Sequence, residues 1–504
     1  MPSTRISNGR RPIRAAAILA LAAFGAVPAS AAPAAPPAAG ETAARSIAPE
    51  LLANLPVFID GVMAQQIARE QVAGAVVTVV YRGKVLFTRG YGYANIVAGV
   101  PVDPQRTLFR PGSVSKLFTW VALMQQVEKG RVDLDADVNT YLDFKIPDFD
   151  NSPIRVRDLM SHSPGMSDVG GIFADTPEQL VPYGQCIKQH IPERVWKPGT
   201  EVAYSNYGAA LAGYIVERVS GEPFADYVDA HIFRPLGMTS TTFREPLTGA
   251  MKANMATGYK EEDGRLVATH FEYISSIMPA GSATASAPDM ARFMMALLNG
   301  GTLGGARILS ERSVALLEAN SLADAFHLPG MAHGMLVYRD ADPRLVGHAG
   351  NTDDFHTDLV LAPEYGLGWF VSESGGAKSS LGRTDLSNAI RGRLLPEKRA
   401  PRWTRAAPPP PLGTYRVNRR DYTQPADPAG DVKVVMRGAH TLAVTREGET
   451  TAWTQVGPEM FEELTGARDG GPFDRLEFYG PADDSSLSFA SEPYETYHLV
   501  KPGE

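Results

Sequence analysis

Apolar positions along the chain fall into blocks of different period. Val57, Ile59, Val62 and Ile67 recur near helical spacing and predict a first helix. Residues 74–81 and 84–91 are rich in β-branched and aromatic side chains and are separated by Arg82-Gly83, the pattern of a tight hairpin. Helical blocks follow, including residues 224–233 and 287–299, and strand signals return at 355–361 and 367–371 around a turn at 362–366. Strands at both ends of a segment with helices between them predict an α+β fold: one antiparallel sheet assembled from the two ends and flanked by helices.

The pattern changes again near Pro396. Residues 396–411 contain the run Pro408-Pro409-Pro410-Pro411, whose stiff, extended form suits a linker. Beyond it, residues 432–436, 442–444, 453–456, 476–478 and 486–489 are short β-like runs broken by glycine, aspartate and proline. These predict a small all-β domain over 412–504, in which no residues have catalytic spacing. At the other end, Arg5, Arg10, Arg11 and Arg14 precede an apolar run over 15–27 and the small residues Ala29-Ser30-Ala31. These are the three parts of a signal peptide over 1–31 with cleavage after Ala31, which predicts an exported protein, periplasmic or secreted. Arg10-Arg11 leaves the export route open. An Ala/Pro-rich spacer over 32–48 then leads into a main domain over 49–395.

Composition narrows the class. A chain of 504 residues with 44% hydrophobic and 21% charged side chains has room for a large domain and a small one. The apolar run of the signal peptide is too short to span a bilayer, and no later segment reads as both long and uncharged enough, so no membrane anchor is expected. Cys186 is the only cysteine, which excludes a disulfide scaffold and reads as a small buried hydrophobe. Without the four signal-peptide arginines the formal charge falls from −8 to −12, a poor balance for nucleic acid or anionic membranes.

The candidate chemistry begins at Ser113-Val114-Ser115-Lys116, which follows Gly112 and opens an amphipathic helix through Leu117, Val121 and Met124. Residues three apart share a helix face, so the Lys116 amine reaches the Ser113 hydroxyl. The helix start favours developing negative charge, and a lysine serves as base only when burial or neighbouring positive charge keeps it neutral. Alone, the tetrapeptide equally fits a capping serine on a solvated helix. A second element, Tyr204-Ser205-Asn206, stands at a loop-to-helix junction. Its tyrosine can pass protons between attacking and leaving groups, and Asn206 can hold a substrate amide. The third element, His348-Ala349-Gly350-Asn351, precedes a strand. Gly350 lets substrate lie along the strand edge, and the N–H of Asn351 can join that of Ser113 as an oxyanion donor. Tyr93-Ala94-Asn95 and Lys197-Pro198-Gly199 have similar spellings in the wrong places and read as structure.

These three elements, in this order, resemble the motifs of the serine β-lactamase and penicillin-binding-protein superfamily, in particular its class C-like branch of esterases, D-aminopeptidases and D-alanyl-D-alanine carboxypeptidases. The resemblance covers about residues 50 to 395 and includes Leu159-Met160-Ser161-His162-Ser163-Pro164-Gly165-Met166 and Pro235-Leu236-Gly237-Met238. It implies a sheet with an all-helical half and the site between them. It also implies an acyl-enzyme hydrolase with Ser113, Lys116 and Tyr204 as catalytic residues and Asn206, His348, Gly350 and Asn351 binding substrate or the oxyanion. One departure is informative. His348 stands where β-lactamases usually carry lysine, and a neutral imidazole grips a carboxylate less firmly than an ammonium. An ester, amide or short-peptide substrate is therefore expected, with a β-lactamase, or a penicillin-binding sensor that acylates without turnover, as alternatives. Neither H-E-x-x-H spacing nor a Gly-rich phosphate loop occurs, so no cofactor and no metal are expected. The oligomeric state is not legible.

Overall fold

Strand β1 (Gly74–Tyr81) reads as an almost unbroken apolar run because both of its faces are covered. The computed structural model describes residues 45–69, 72–465, 470–501 and 503; the signal peptide and most of the spacer lie outside them. Among the described residues, β1 sits inside a nine-stranded antiparallel sheet with β2 (Lys84–Asn95), β3 (Val100–Pro101), β4 (Asn320–Leu322), β5 (Met331–Ala332), β6 (Leu336–Arg339), β7 (Leu345–Asn351), β8 (Phe355–Ala362) and β9 (Leu367–Ser374). The strand order is β4-β5-β6-β7-β8-β9-β1-β2-β3. The sheet is thus joined from the two ends of the domain, β1 pairing β9 from Gly74↔Ser374 to Tyr81↔Leu367.

Alternation along β1 divides the core. Val77 and Val79 join Trp369, Val371 and Val360 beneath α1 (Pro49–Ala68) and α5 (Ala377–Leu394). Val76 and Val80 face the helical half, where α2 (Lys116–Glu128), α3 (Asn206–Ser220) and α4 (Ala287–Leu298) pack with Phe118, Trp120, Leu211 and Phe293. Two sequence expectations change at α1. Its buried stripe is Leu55, Ile59 and Met63, one residue in four, and Val57 points outward at 71% exposure. With 20 residues and a mean hydropathy of 1.3, α1 is also long and apolar enough by composition to cross a bilayer, contrary to the expectation for segments after the signal peptide. In this fold its apolar stripe is taken up by the sheet and α5. Residues 224–233, predicted as one helix, form α-helix over Phe224–Val228 and a π-helical turn over Asp229–Phe233.

The C-terminal domain is a closed antiparallel barrel of β10 (Gly413–Val417), β11 (Val432–Gly438), β12 (Thr441–Arg446), β13 (Glu449–Gln455), β14 (Met460–Glu463), β15 (Arg475–Tyr479), β16 (Ser486–Phe489) and β17 (Tyr497–Leu499). Eight strands enclose a bore that side chains fill; here Tyr415, Trp453, Phe461, Phe478, Phe489 and Tyr497 fill it. The proline-rich segment lies along both domains. Glu397 takes Arg339 and Arg391 from the main domain, whereas Arg399, Ala400 and Trp403 bond to Glu462, Glu463 and Gln455 of the barrel.

One buried ion pair fixes the approach to the candidate site. Arg110, three residues before Ser113, donates to Glu245 at 2.7 Å with both side chains at most 1% exposed. The second Glu245 oxygen accepts the N–H groups of Ile274 and Ser275, each at 2.7 Å. Removing one partner of such a pair strands a charge in the interior and typically costs about 3–5 kcal/mol. Glu245→Ala is expected to lower unfolding free energy by that order in denaturant titration, and a loss below about 1 kcal/mol would mean that water reaches Arg110 in the variant.

Candidate active site

Ser113 does not stand in the α-helix itself. Residues Gly112–Ser115 form a 3-10 turn that runs into α2, and this tighter turn carries the hydroxyl towards the junction of sheet and helical half. Gly112 has φ +52°, and a Cβ there would meet the backbone of Asn351 at 2.9 Å. Across the gap, a Cβ on Gly350 would meet Pro111 O at 2.1 Å and Ser113 N at 2.7 Å. Two glycines therefore let β7 and the serine turn touch backbone to backbone. That contact sets the backbone of Gly350 and Asn351 directly against that of Gly112 and Ser113.

The Lys116 side chain is fully buried, and its Nζ has three neighbours: Ser113 Oγ at 2.9 Å, Asn206 Oδ1 at 2.8 Å and Ala280 O at 2.6 Å. No carboxylate is among them. Nζ donates to all three; once the amine is uncharged, its lone pair takes the place of one N–H and can receive the serine O–H. Burial lowers the lysine pKa well below its ordinary value; Arg419 acts in the same direction and Asp168 opposes.

Tyr204 arrives from the segment before α3, with its ring centre 4.7 Å from Lys116 Nζ. Burial raises its pKa, opposed chiefly by Ser113, and its hydroxyl is buried with no hydrogen-bond partner among the described residues. Ser205 caps α3 by accepting the N–H of Gly208, which puts Asn206 on the first turn with its carbonyl oxygen committed to the lysine. The amide NH2 is the end that remains to meet a substrate carbonyl. His348 is 1% exposed with its ring centre 6.1 Å from that of Tyr204. Burial, then the neighbouring lysine, pushes its pKa down to about 3, so the imidazole is uncharged at any neutral pH. Ser113, Lys116, Tyr204, Asn206, His348, Gly350 and Asn351 thus meet at one place. The Asn351 side chain turns away, its Oδ1 accepting from His356 Nδ1 at 2.9 Å. Tyr93 lies on β2 and is 47% exposed, and Cys186 is packed in the helical core.

Three contributors escape a reading by spacing. His162 is completely buried with φ +52°; its Nδ1 accepts the N–H of Ser205 at 3.1 Å, and its ring stacks on Tyr204 at 4.2 Å. Its signal is its place in the run from Leu159 to Met166. The other two come from the barrel. Tyr494 O accepts the N–H of Tyr204 at 3.0 Å while its ring meets the tyrosine edge-on at 5.6 Å. The Arg419 guanidinium lies 4.9 Å from the same ring centre.

The structure thus joins a serine hydroxyl to a buried lysine amine beside a tyrosine. The model of the family described as "Beta-lactamase" matches residues 59–389. The chain belongs to that family. Among curated relatives of this family member, a Bacillus subtilis (strain 168) protein named PbpX is 32% identical over 224 residues, 44% of this chain and 54% of its own. The chain spans roughly half to two thirds of the length of the curated relatives it matches. Among solved structures, the octameric penicillin-binding protein homologue from Pyrococcus abyssi superposes with a TM-score of 0.58 at 20% identity, covering 88% of this chain and 99% of that one. D-amino acid amidase from Ochrobactrum anthropi SV3 gives 0.55 at 25% identity, covering 68% and 97%.

Two expectations follow from the geometry. Gly350→Ala pushes a methyl into the backbone of the serine turn, and losing one oxyanion donor typically costs about 10² to 10³ in rate. Acylation by an activated ester is expected to fall by that order while circular dichroism is unchanged; full activity would mean that β7 is not held against Ser113. Because His348 is already uncharged far above its depressed pKa, it contributes no ionisation near pH 6.5. The acidic limb of kcat/KM is expected to keep its midpoint in His348→Gln, whatever the height of the profile, and a displaced limb would assign the ionisation to the imidazole.

Proposed function

We propose that this family member is a serine hydrolase that forms an acyl-enzyme on a small ester, amide or short peptide. The observation that carries the reading is the fully buried Lys116 amine, 2.9 Å from Ser113 Oγ, with no carboxylate among its hydrogen-bond partners. In acylation the Ser113 Oγ–carbon bond forms as Lys116 takes the hydroxyl proton, and the carbonyl oxygen gains its charge between the N–H groups of Ser113 and Asn351. Tyr204 gives its proton to the leaving nitrogen or oxygen as that bond breaks, and the proton held by Lys116 restores the phenol. Water then adds to the ester carbon, its proton passing to the same pair, and Ser113 leaves with a proton. Asn206 and the uncharged His348 orient the substrate.

His348 favours substrates that do not depend on a fixed carboxylate, because an imidazole with a pKa of about 3 supplies no positive charge to a penicillin or cephalosporin. The amidase among the structural relatives is consistent with that preference. The N-terminal pattern adds that the protein works outside the cytoplasm, after removal of residues 1–31.

The test is a panel of short-acyl esters, D-residue amides and dipeptides, and β-lactams, with Ser113→Ala as blank and intact mass to detect the acyl adduct. Turnover of an ester, amide or peptide at a higher kcat/KM than any β-lactam is expected, abolished in Ser113→Ala. Preferential cephalosporin turnover would make this a β-lactamase. A stoichiometric adduct without turnover on every substrate would make it a penicillin-binding sensor.

A further inference from the structure

The barrel has no catalytic spacing in its sequence, yet two of its segments reach the catalytic cluster. The turn after β10 grips the main domain: Asn418 Nδ2 donates to Val202 O at 2.8 Å, Arg420 O accepts the N–H of Asp168 at 2.9 Å, and the N–H of Tyr422 meets Ser167 Oγ at 2.9 Å. Arg419 projects from the middle of this grip. Its guanidinium pairs with Asp168 of the main domain at 3.3 Å and with Glu495 of the barrel at 3.4 Å, and it shares the Tyr204 ring with Lys116. The second segment, before β17, supplies Glu495 and the Tyr494 carbonyl that holds the Tyr204 N–H.

We propose that Arg419 is a positioning residue of the catalytic centre, a permanent cation delivered by the C-terminal barrel that holds Tyr204 and favours the proton-accepting form of Lys116. The inference rests on the proposed function for its chemical meaning and adds a role for the barrel. An arginine is suited to it because it never loses its charge and its planar group stacks on an aromatic face.

The charges around the cluster set the sign. Lys116 faces Ser113 and Asn206 as neutral partners, His162 and His348 as buried uncharged imidazoles, Arg419 as the cation that lowers its pKa, and Asp168 as the anion that raises it. Tyr204 responds alike, lowered by Arg419 and raised by Glu495 and Asp168. Burial pushes Glu495 up to about 7, so its charge is only partly present near neutrality. Deleting the cation therefore moves both ionisations to higher pH, and deleting Asp168 moves both to lower pH. A purely structural loss lowers activity without moving either.

The experiment follows the Lys116 amine directly in the full chain carrying isotope-labelled lysine, with the Nζ resonance assigned by Lys116→Met and titrated by NMR. In parallel, the rate of Ser113 labelling by a fluorophosphonate is measured against pH. Relative to the parent, Arg419→Gln is expected to raise the Lys116 midpoint by roughly half a pH unit to one unit, Asp168→Asn to lower it by a similar amount, and Arg419→Lys to restore much of the parent value. The acidic limb of fluorophosphonate labelling is expected to move with it. Should Arg419→Gln fail to fold, Asp168→Asn decides alone. A Lys116 midpoint that stays fixed in Asp168→Asn and in a folded Arg419→Gln overturns the proposal. Absence of fluorophosphonate labelling in the parent counts against the hydrolase reading, and the role of Arg419 is still decided by the amine titration.

Discussion

Everything at this site depends on an amine buried without an acid. An ammonium taken from water into a protein interior costs several kcal/mol even after relaxation, and it normally brings a carboxylate with it. Lys116 instead has a serine hydroxyl, an amide oxygen and a backbone carbonyl. Burial lowers the lysine pKa well below its ordinary value, which favours the uncharged amine beside the hydroxyl. The same burial that would be a defect in a structural lysine is what the proposed base requires.

Keeping that amine dry requires elements distant in sequence to close around it. The serine turn supplies the hydroxyl, α3 supplies Asn206, the segment before α4 supplies Ala280, and β7 closes against Gly112 through Gly350. Each joint has its own physical support. Gly112 and Gly350 remove the Cβ atoms that would hold the backbones apart. The Arg110–Glu245 pair locks the segment that leads into the turn, and His162 stacks behind Tyr204 while its Nδ1 holds Ser205. The site is therefore a seam between the sheet and the helical half, and its precision comes from packing on both sides of the seam.

The barrel enters on the same terms. Its bore is filled with aromatic and aliphatic side chains, and its contribution lies outside, where Tyr494 and Arg419 meet Tyr204 and the proline-rich segment ties it down along both domains. It functions as a wall of the site. A guanidinium and a buried amine on one tyrosine, with Asp168 and Glu495 balancing the guanidinium, make an electrostatic environment that neither domain contains alone.

What the sequence determined by itself is whatever local spacing encodes. Ser113 and Lys116 are three residues apart and must share a face; Tyr204 and Asn206 flank a helix start; the β-rich apolar runs at both ends of the main domain pair into one sheet. The outward direction of Val57 was not legible, since a helix apolar on more than one stripe does not reveal which stripe meets the core. Only the tertiary structure decided that His162 backs the tyrosine and that Arg419, 215 residues after Tyr204 in the chain, lies on its ring. Their positions depend on which surfaces meet when domains dock, and long-range contact of that kind leaves no periodic trace in a single sequence. The charge state of Lys116 belongs to the same class, because desolvation is a property of the closed seam and not of any motif.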